Sequence, residues 1–113
     1  MTTLSDFPVS LRQAIRLRLE EGFPDLGRAA GMAGMSVRTL QRRLADEGTS
    51  YSRLVDEVRF GMALRRLGAP DTKLIEIAFD LGYSDPAHFT RAFRRWTGVA
   101  PREFRRRRTR SQA

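Results

Sequence analysis

Apolar residues recur along this chain at the three-and-four spacing of helices, and nowhere does the pattern settle into the alternation of a strand. Leu11, Ala14, Ile15 and Leu19 share one face of a first segment, which Pro8 can open and Gly22 can close. After Phe23-Pro24, a short run from Asp25 to Met32 rich in small residues leads into a turn at Ala33-Gly34-Met35 and a helix-capping Ser36. The next run places Val37, Leu40 and Leu44 inward and Arg38, Gln41 and Arg42 outward, with Gly48 just past its end. From Thr49 to Leu67 the apolar positions fall on two faces: Leu54, Val55, Val58 and Met62 on one, Phe60, Leu64 and Leu67 on another. A helix apolar on two sides most simply packs against two compact segments, so this one is expected to connect two lobes. Gly68 to Asp71 ends it, and Lys73 to Leu81 forms another short helix. Asp85-Pro86 then opens a helix with Phe89, Phe93 and Trp96 inward, which stops at Gly98; a last one runs from Pro101 to about Arg107.

Two stretches of this pattern are the same stretch written twice. Ala30-x-x-x-Gly34-Met35-Ser36 matches Ala78-x-x-x-Gly82-Tyr83-Ser84 at an offset of 48 residues, and Leu40 to Leu44 answers Phe89 to Phe93 at an offset of 49. A small Ala lets two helices cross closely, a Gly four residues later turns the chain at positive φ, and large apolar residues pin the second helix across the first. Those are the requirements of a helix-turn-helix, and each copy carries an outward arginine two residues past its apolar anchor, Arg42 and Arg91. The fold expected is therefore all-α, with about seven helices in two helix-turn-helix lobes joined by a long central helix. Residues 1–10 are a linker or tail, 11–48 the first lobe, 49–68 the connecting helix, 69–107 the second lobe and 108–113 a basic tail.

Charge sharpens the picture by its position. Residues 1–85 hold 12 basic and 12 acidic side chains, whereas residues 86–113 hold nine arginines against Glu103 alone, so the whole excess of +8 lies at the C-terminal end. Of the 21 basic residues only Lys73 is lysine, and the planar arginine fork suits phosphate oxygens and guanine edges better than an ammonium does. A polyanionic partner is favoured. The length of 113 residues excludes a large multidomain enzyme, and with no cysteine and one histidine, thiolate and multi-histidine metal sites lack ligands, so no metal and no cofactor is expected. No apolar run approaches the ~18 residues of a membrane span, and the first residues lack the pattern of a secretory signal, so the chain reads as cytoplasmic with no membrane partner. Ser84, Asp85 and His88 hold the letters of a hydrolase triad, but their place at a helix start points to capping, and no enzymatic activity is expected.

The stretch IAFDLGYSDPAHFTRAFRRWTGVAPREFRR, residues 77–106, resembles the DNA-binding domain of AraC/XylS-type bacterial transcription regulators, and SVRTLQRRLADEGTSYSRL, residues 36–54, supports the resemblance. It covers the chain from about Leu11 to Arg106 and is carried by the Gly-Tyr-Ser-Asp, Phe-x-Arg-x-Phe and Gly-x-x-Pro spacing; Gly27 and Gly31 depart from it as weak helix formers, each costing about 1 kcal/mol against Ala. The resemblance implies binding of double-stranded DNA by two recognition helices in successive major-groove segments, about one helical turn or ~34 Å apart. Carried over by position, Arg38, Gln41 and Arg42 would face base edges from the first helix, and Pro86, Ala87, His88 and Arg91 from the second. Arginine can bridge guanine, glutamine can pair with adenine and Ala87 can meet a thymine methyl. Ser36, Thr39 and Arg43, and Ser84 and Asp85 with the backbone N–H groups they flank, are expected against phosphates, joined by Arg94, Arg95, Arg105 and Arg106. RNA polymerase is a further partner the resemblance implies, and no small-molecule site is expected in this chain. The family usually attaches an N-terminal sensing or dimerisation domain, and the linker-like start MTTLSDFP favours a part of a longer effector-responsive regulator. A role in protein interaction and a sequence-indifferent architectural role are the competing readings.

Overall fold

The computed structural model describes residues 6–17 and 24–112, so the expectations for Leu19 and Gly22 lie outside the described residues. Among the described residues there are seven helices and no strand: α1 (Asp6–Leu17), α2 (Leu26–Met32), α3 (Val37–Asp46), α4 (Tyr51–Leu67), α5 (Leu74–Asp80), α6 (Pro86–Thr97) and α7 (Pro101–Gln112). The chain divides into two compact units, residues 1–58 and 59–113, and the division falls inside α4. The residues expected to form a separate connecting segment are thus shared out: Leu54, Val55 and Val58 are buried residues of the first unit, and Met62, Ala63 and Leu67 of the second.

In the first unit Leu11 and Ile15 of α1 and Leu40 and Leu44 of α3, which the periodicity places inward, are buried, together with the small Ala29 and Ala30 of α2. Pro8 lies in the first turn of α1 instead of opening it, where its missing N–H leaves no helical bond unmade. Val37 departs from expectation at 38% exposure: it is the first residue of α3, and Leu40, one turn on, supplies the inward contact. Three polar links tie the unit together. The Tyr51 hydroxyl donates to the Pro24 carbonyl, Arg12 pairs with Glu57 at 2.7 Å, and the Arg43 guanidinium lies 4.2 Å from the centre of the Phe7 ring.

Aromatic packing builds the second unit. Phe93 is fully buried and meets Phe104 of α7 edge-on at 5.2 Å, Trp96 meets Phe60 of α4 at 5.6 Å, and Phe89 packs beside Tyr83 at 5.8 Å. Arg59 donates from Nε to the Leu81 carbonyl at the end of α5, 3.1 Å away, and its guanidinium covers the Tyr83 ring. The last helix runs five residues beyond the expected Arg107, so residues 108–112 of the basic tail are helical. Arg108, the first residue of the extension, reaches the Leu64 carbonyl of α4 at 3.2 Å, and one turn earlier Glu103 bonds to Arg106 and Arg107.

Candidate nucleic-acid interface

Each copy of the repeat folds into the same turn, down to its hydrogen bonds. Gly34 and Gly82 adopt φ of +70° and +92°, a region that side-chain-bearing residues rarely occupy. The residue after each donates back over the glycine to the repeated alanine, Met35 N–H to the Ala30 carbonyl and Tyr83 N–H to the Ala78 carbonyl, both at 3.0 Å. The four-residue spacing from Ala to Gly is therefore that of a helix end closed over a left-handed residue. Ala30 and Ala78 are also buried, at 2% and 0% exposure, as a close helix crossing demands.

The residue inserted between the two offsets can now be placed. In the first copy Ser36 caps α3, its Oγ accepting from Thr39 N–H at 3.1 Å and donating to Thr39 Oγ1 at 3.0 Å. In the second copy the cap is Asp85, not the Ser84 that aligns with Ser36; its Oδ1 accepts from Ala87 N–H at 2.9 Å, with Pro86 as the first helical residue. Ser84 is the extra residue of the longer turn. At the start of α3 the Val37 and Arg38 N–H groups lack helical partners and present partial positive charge outward, whereas α6 begins with Pro86, which has no N–H, and its Ala87 and His88 N–H groups already bond to Asp85, at 2.9 Å and 3.0 Å.

On α3, Leu40 and Leu44 are buried, whereas Arg38, Gln41, Arg42 and Ala45 are exposed at the spacing of a single helix face. On α6, Phe89, Ala92 and Phe93 are buried; Ala87, His88, Arg91, Arg94 and Arg95 are exposed, and Pro86 is half-buried. The repeat equates Arg42 with Arg91 and Arg38 with Ala87, so the first helix carries more hydrogen-bonding capacity toward a groove.

The remaining arginines are not equivalent. Arg43 is exposed but stacked on Phe7, an arrangement invisible in the sequence because nothing marks Phe7 as a partner. Arg94 and Arg95 are exposed in the last turn of α6, where positive charge also suits the helix dipole. Arg105, expected on phosphate, instead points into the second unit, with Nε 3.1 Å from the Leu67 carbonyl and Nη2 3.3 Å and 3.4 Å from those of Ala69 and Arg66. The Arg66 and Ala69 carbonyls also accept from the Ala69 and Thr72 N–H groups, at 3.1 Å and 3.2 Å, and Arg105 adds a donor to each and one to Leu67, capping the end of α4 and the turn after it. Arg106 is exposed and bonded to Glu103; that bond, with a second from Arg107, holds the Glu103 carboxyl below the usual carboxylate range.

Comparison with known proteins gives a consistent result. A family model described as a helix-turn-helix domain matches residues 29–107. An ornithine utilization regulator of Pseudomonas aeruginosa is 45% identical over 83 residues, covering 74% of this chain and 24% of that protein. The HTH-type transcriptional regulator VqsM of the same organism is 43% identical over 98 residues, 84% of this chain and 30% of that one. Among solved structures, the DNA-binding domain of AdpA, a global transcriptional factor in complex with a target DNA, superposes with a TM-score of 0.75 at 29% identity, covering 91% of this chain and 97% of that domain. The chain thus spans under a third of the length of these two curated relatives.

Proposed function

Since this chain belongs to the AraC-type helix-turn-helix family of DNA-binding transcription regulators, we propose that it reads double-stranded DNA with α3 and α6 in successive major-groove segments, as the DNA-binding part of a longer bacterial regulator. One observation carries this reading: the same capped turn occurs twice, and each copy sets an exposed arginine, Arg42 and Arg91, on the outward face of a helix whose opposite face is buried. Arg38, Gln41 and Arg42 meet base edges from α3, and Pro86, Ala87, His88 and Arg91 from α6. Ser36, Thr39, Arg43, Arg94, Arg95 and Arg106 meet the phosphates, with the backbone N–H groups of Ser84 and Asp85 themselves. Arg105 leaves this set, because its donors already hold the end of α4. RNA polymerase is the second partner of such a regulator, brought to a promoter by the DNA contact.

Arg42→Ala tests the reading. On the preferred duplex it weakens binding by about 1 to 3 kcal/mol and relaxes selection at the bases it faces, while binding to a scrambled duplex changes far less. Equal weakening on both duplexes would mean that Arg42 holds phosphate and reads nothing.

A further inference from the structure

Helices α3 and α6 follow one plan until their last turns, where their charges become opposite. With 49 residues between equivalent positions, Ala45 and Asp46 of α3 stand where α6 carries Arg94 and Arg95, and all four are exposed. Asp46 is the last residue of α3, where the helix already presents unpaired carbonyl oxygens and where a carboxylate is the unfavourable charge. Among the described residues no hydrogen bond or ion pair reaches its carboxylate, although Arg42 lies one turn before it. Asp46 therefore contributes nothing visible to the stability of its own helix. It also places a negative charge beside Arg42, on the flank that carries Thr39 and Arg43, in a chain of net charge +8.

A helix about 10–12 Å across nearly fills a major groove about 12 Å wide, so its flanks lie against the phosphate walls. A recognition helix reading bases does so from its N-terminal turns, and its last turn stands back; a complex held by phosphates alone has no such constraint. We propose that Asp46 is a specificity-determining residue: its carboxylate repels backbone phosphate in complexes where α3 has not found its bases, so that indiscriminate holding falls to α6 with Arg94 and Arg95. Discrimination arises here from a penalty on the wrong complexes as much as from contacts in the right one. The inference rests on α3 being a reading helix, as proposed above.

The test compares wild type, Asp46→Asn, Asp46→Arg and Arg42→Ala on the best duplex from a random-sequence selection and on a scrambled duplex of the same composition, across a range of salt. Asp46→Asn is expected to tighten the scrambled complex about fivefold, the weight of one unit-charge pair at about 4 Å in water, and the selected one less than about twofold. Asp46→Arg, which gives α3 the α6 pattern, steepens the slope of log K against log salt on the scrambled duplex by about 0.9. Thermal melting of Asp46→Asn should match or exceed wild type, which separates a binding effect from a folding one. No change on either duplex, or equal tightening on both, overturns the proposal; so does weakening on the selected duplex, which would make Asp46 an acceptor for a cytosine amino group. If Arg42→Ala leaves sequence preference intact, the reading of α3 itself fails, a different outcome from an idle Asp46.

Discussion

At Gly34 and Gly82 the backbone turns at positive φ, and the residue beyond each bonds back to a buried alanine, so two glycines and two alanines set the geometry of both turns. A side chain at Gly34 would meet no atom within 4 Å, yet its Cβ would strain the left-handed backbone; Gly34→Ala is expected to lower stability by about 1 to 2 kcal/mol in thermal unfolding. Gly31 is the opposite case. It sits inside α2, at no positive φ and with open space around its missing Cβ, so Gly31→Ala should raise stability by up to about 1 kcal/mol in the same assay. Both glycines are equally plain letters in the sequence. Gly34 was legible as a turn because its copy, Gly82, repeats it, and Val37 was misread because the first residue of a helix need not follow the inward face that its spacing implies.

Within α7 the structure sorts arginines that composition cannot. Arg105 and Arg108 face α4 and donate to carbonyls of Leu64, Arg66, Leu67 and Ala69; Arg106 and Arg107 close on Glu103. Nothing in a run of four arginines tells which will meet a neighbouring helix end, because that depends on where α4 stops, and so Arg105 read as a phosphate contact. Arg105→Lys keeps the charge but loses the planar fork. It should cost about 1 to 3 kcal/mol of stability while leaving the salt slope of DNA binding unchanged, measured by melting and by titration at several salt concentrations. The Glu103 carboxyl, held low by Arg106 and then Arg107, makes a pH-dependent contribution with a definite sign. Its support for α7 is complete above the ordinary carboxylate range and is lost as pH falls through the depressed value. Helicity followed by circular dichroism should show this acid-side loss in wild type and a smaller one in Glu103→Gln.

Over the whole molecule, the excess of +8 at the C-terminal end and the repeated capped turn point the same way, toward a polyanion read by two similar helices. The all-α class, both turns and the outward faces of α3 and α6 were legible because each rests on local spacing, and the second copy tests the first. That α4 serves two compact segments was legible in its two apolar faces, but the stacking of Arg43 on Phe7 and the carbonyl cap by Arg105 were not, since they depend on contacts between distant segments. The central claim is that this chain selects sequence with two helices and does not merely adhere to DNA by charge. Selection from a random duplex pool at near-physiological salt, followed by sequencing, tests it most directly, because charge secures binding and only enrichment reports readout. Two short motifs spaced by about one helical turn are the expected result. Tight binding that salt abolishes, with no motif enriched, would contradict it.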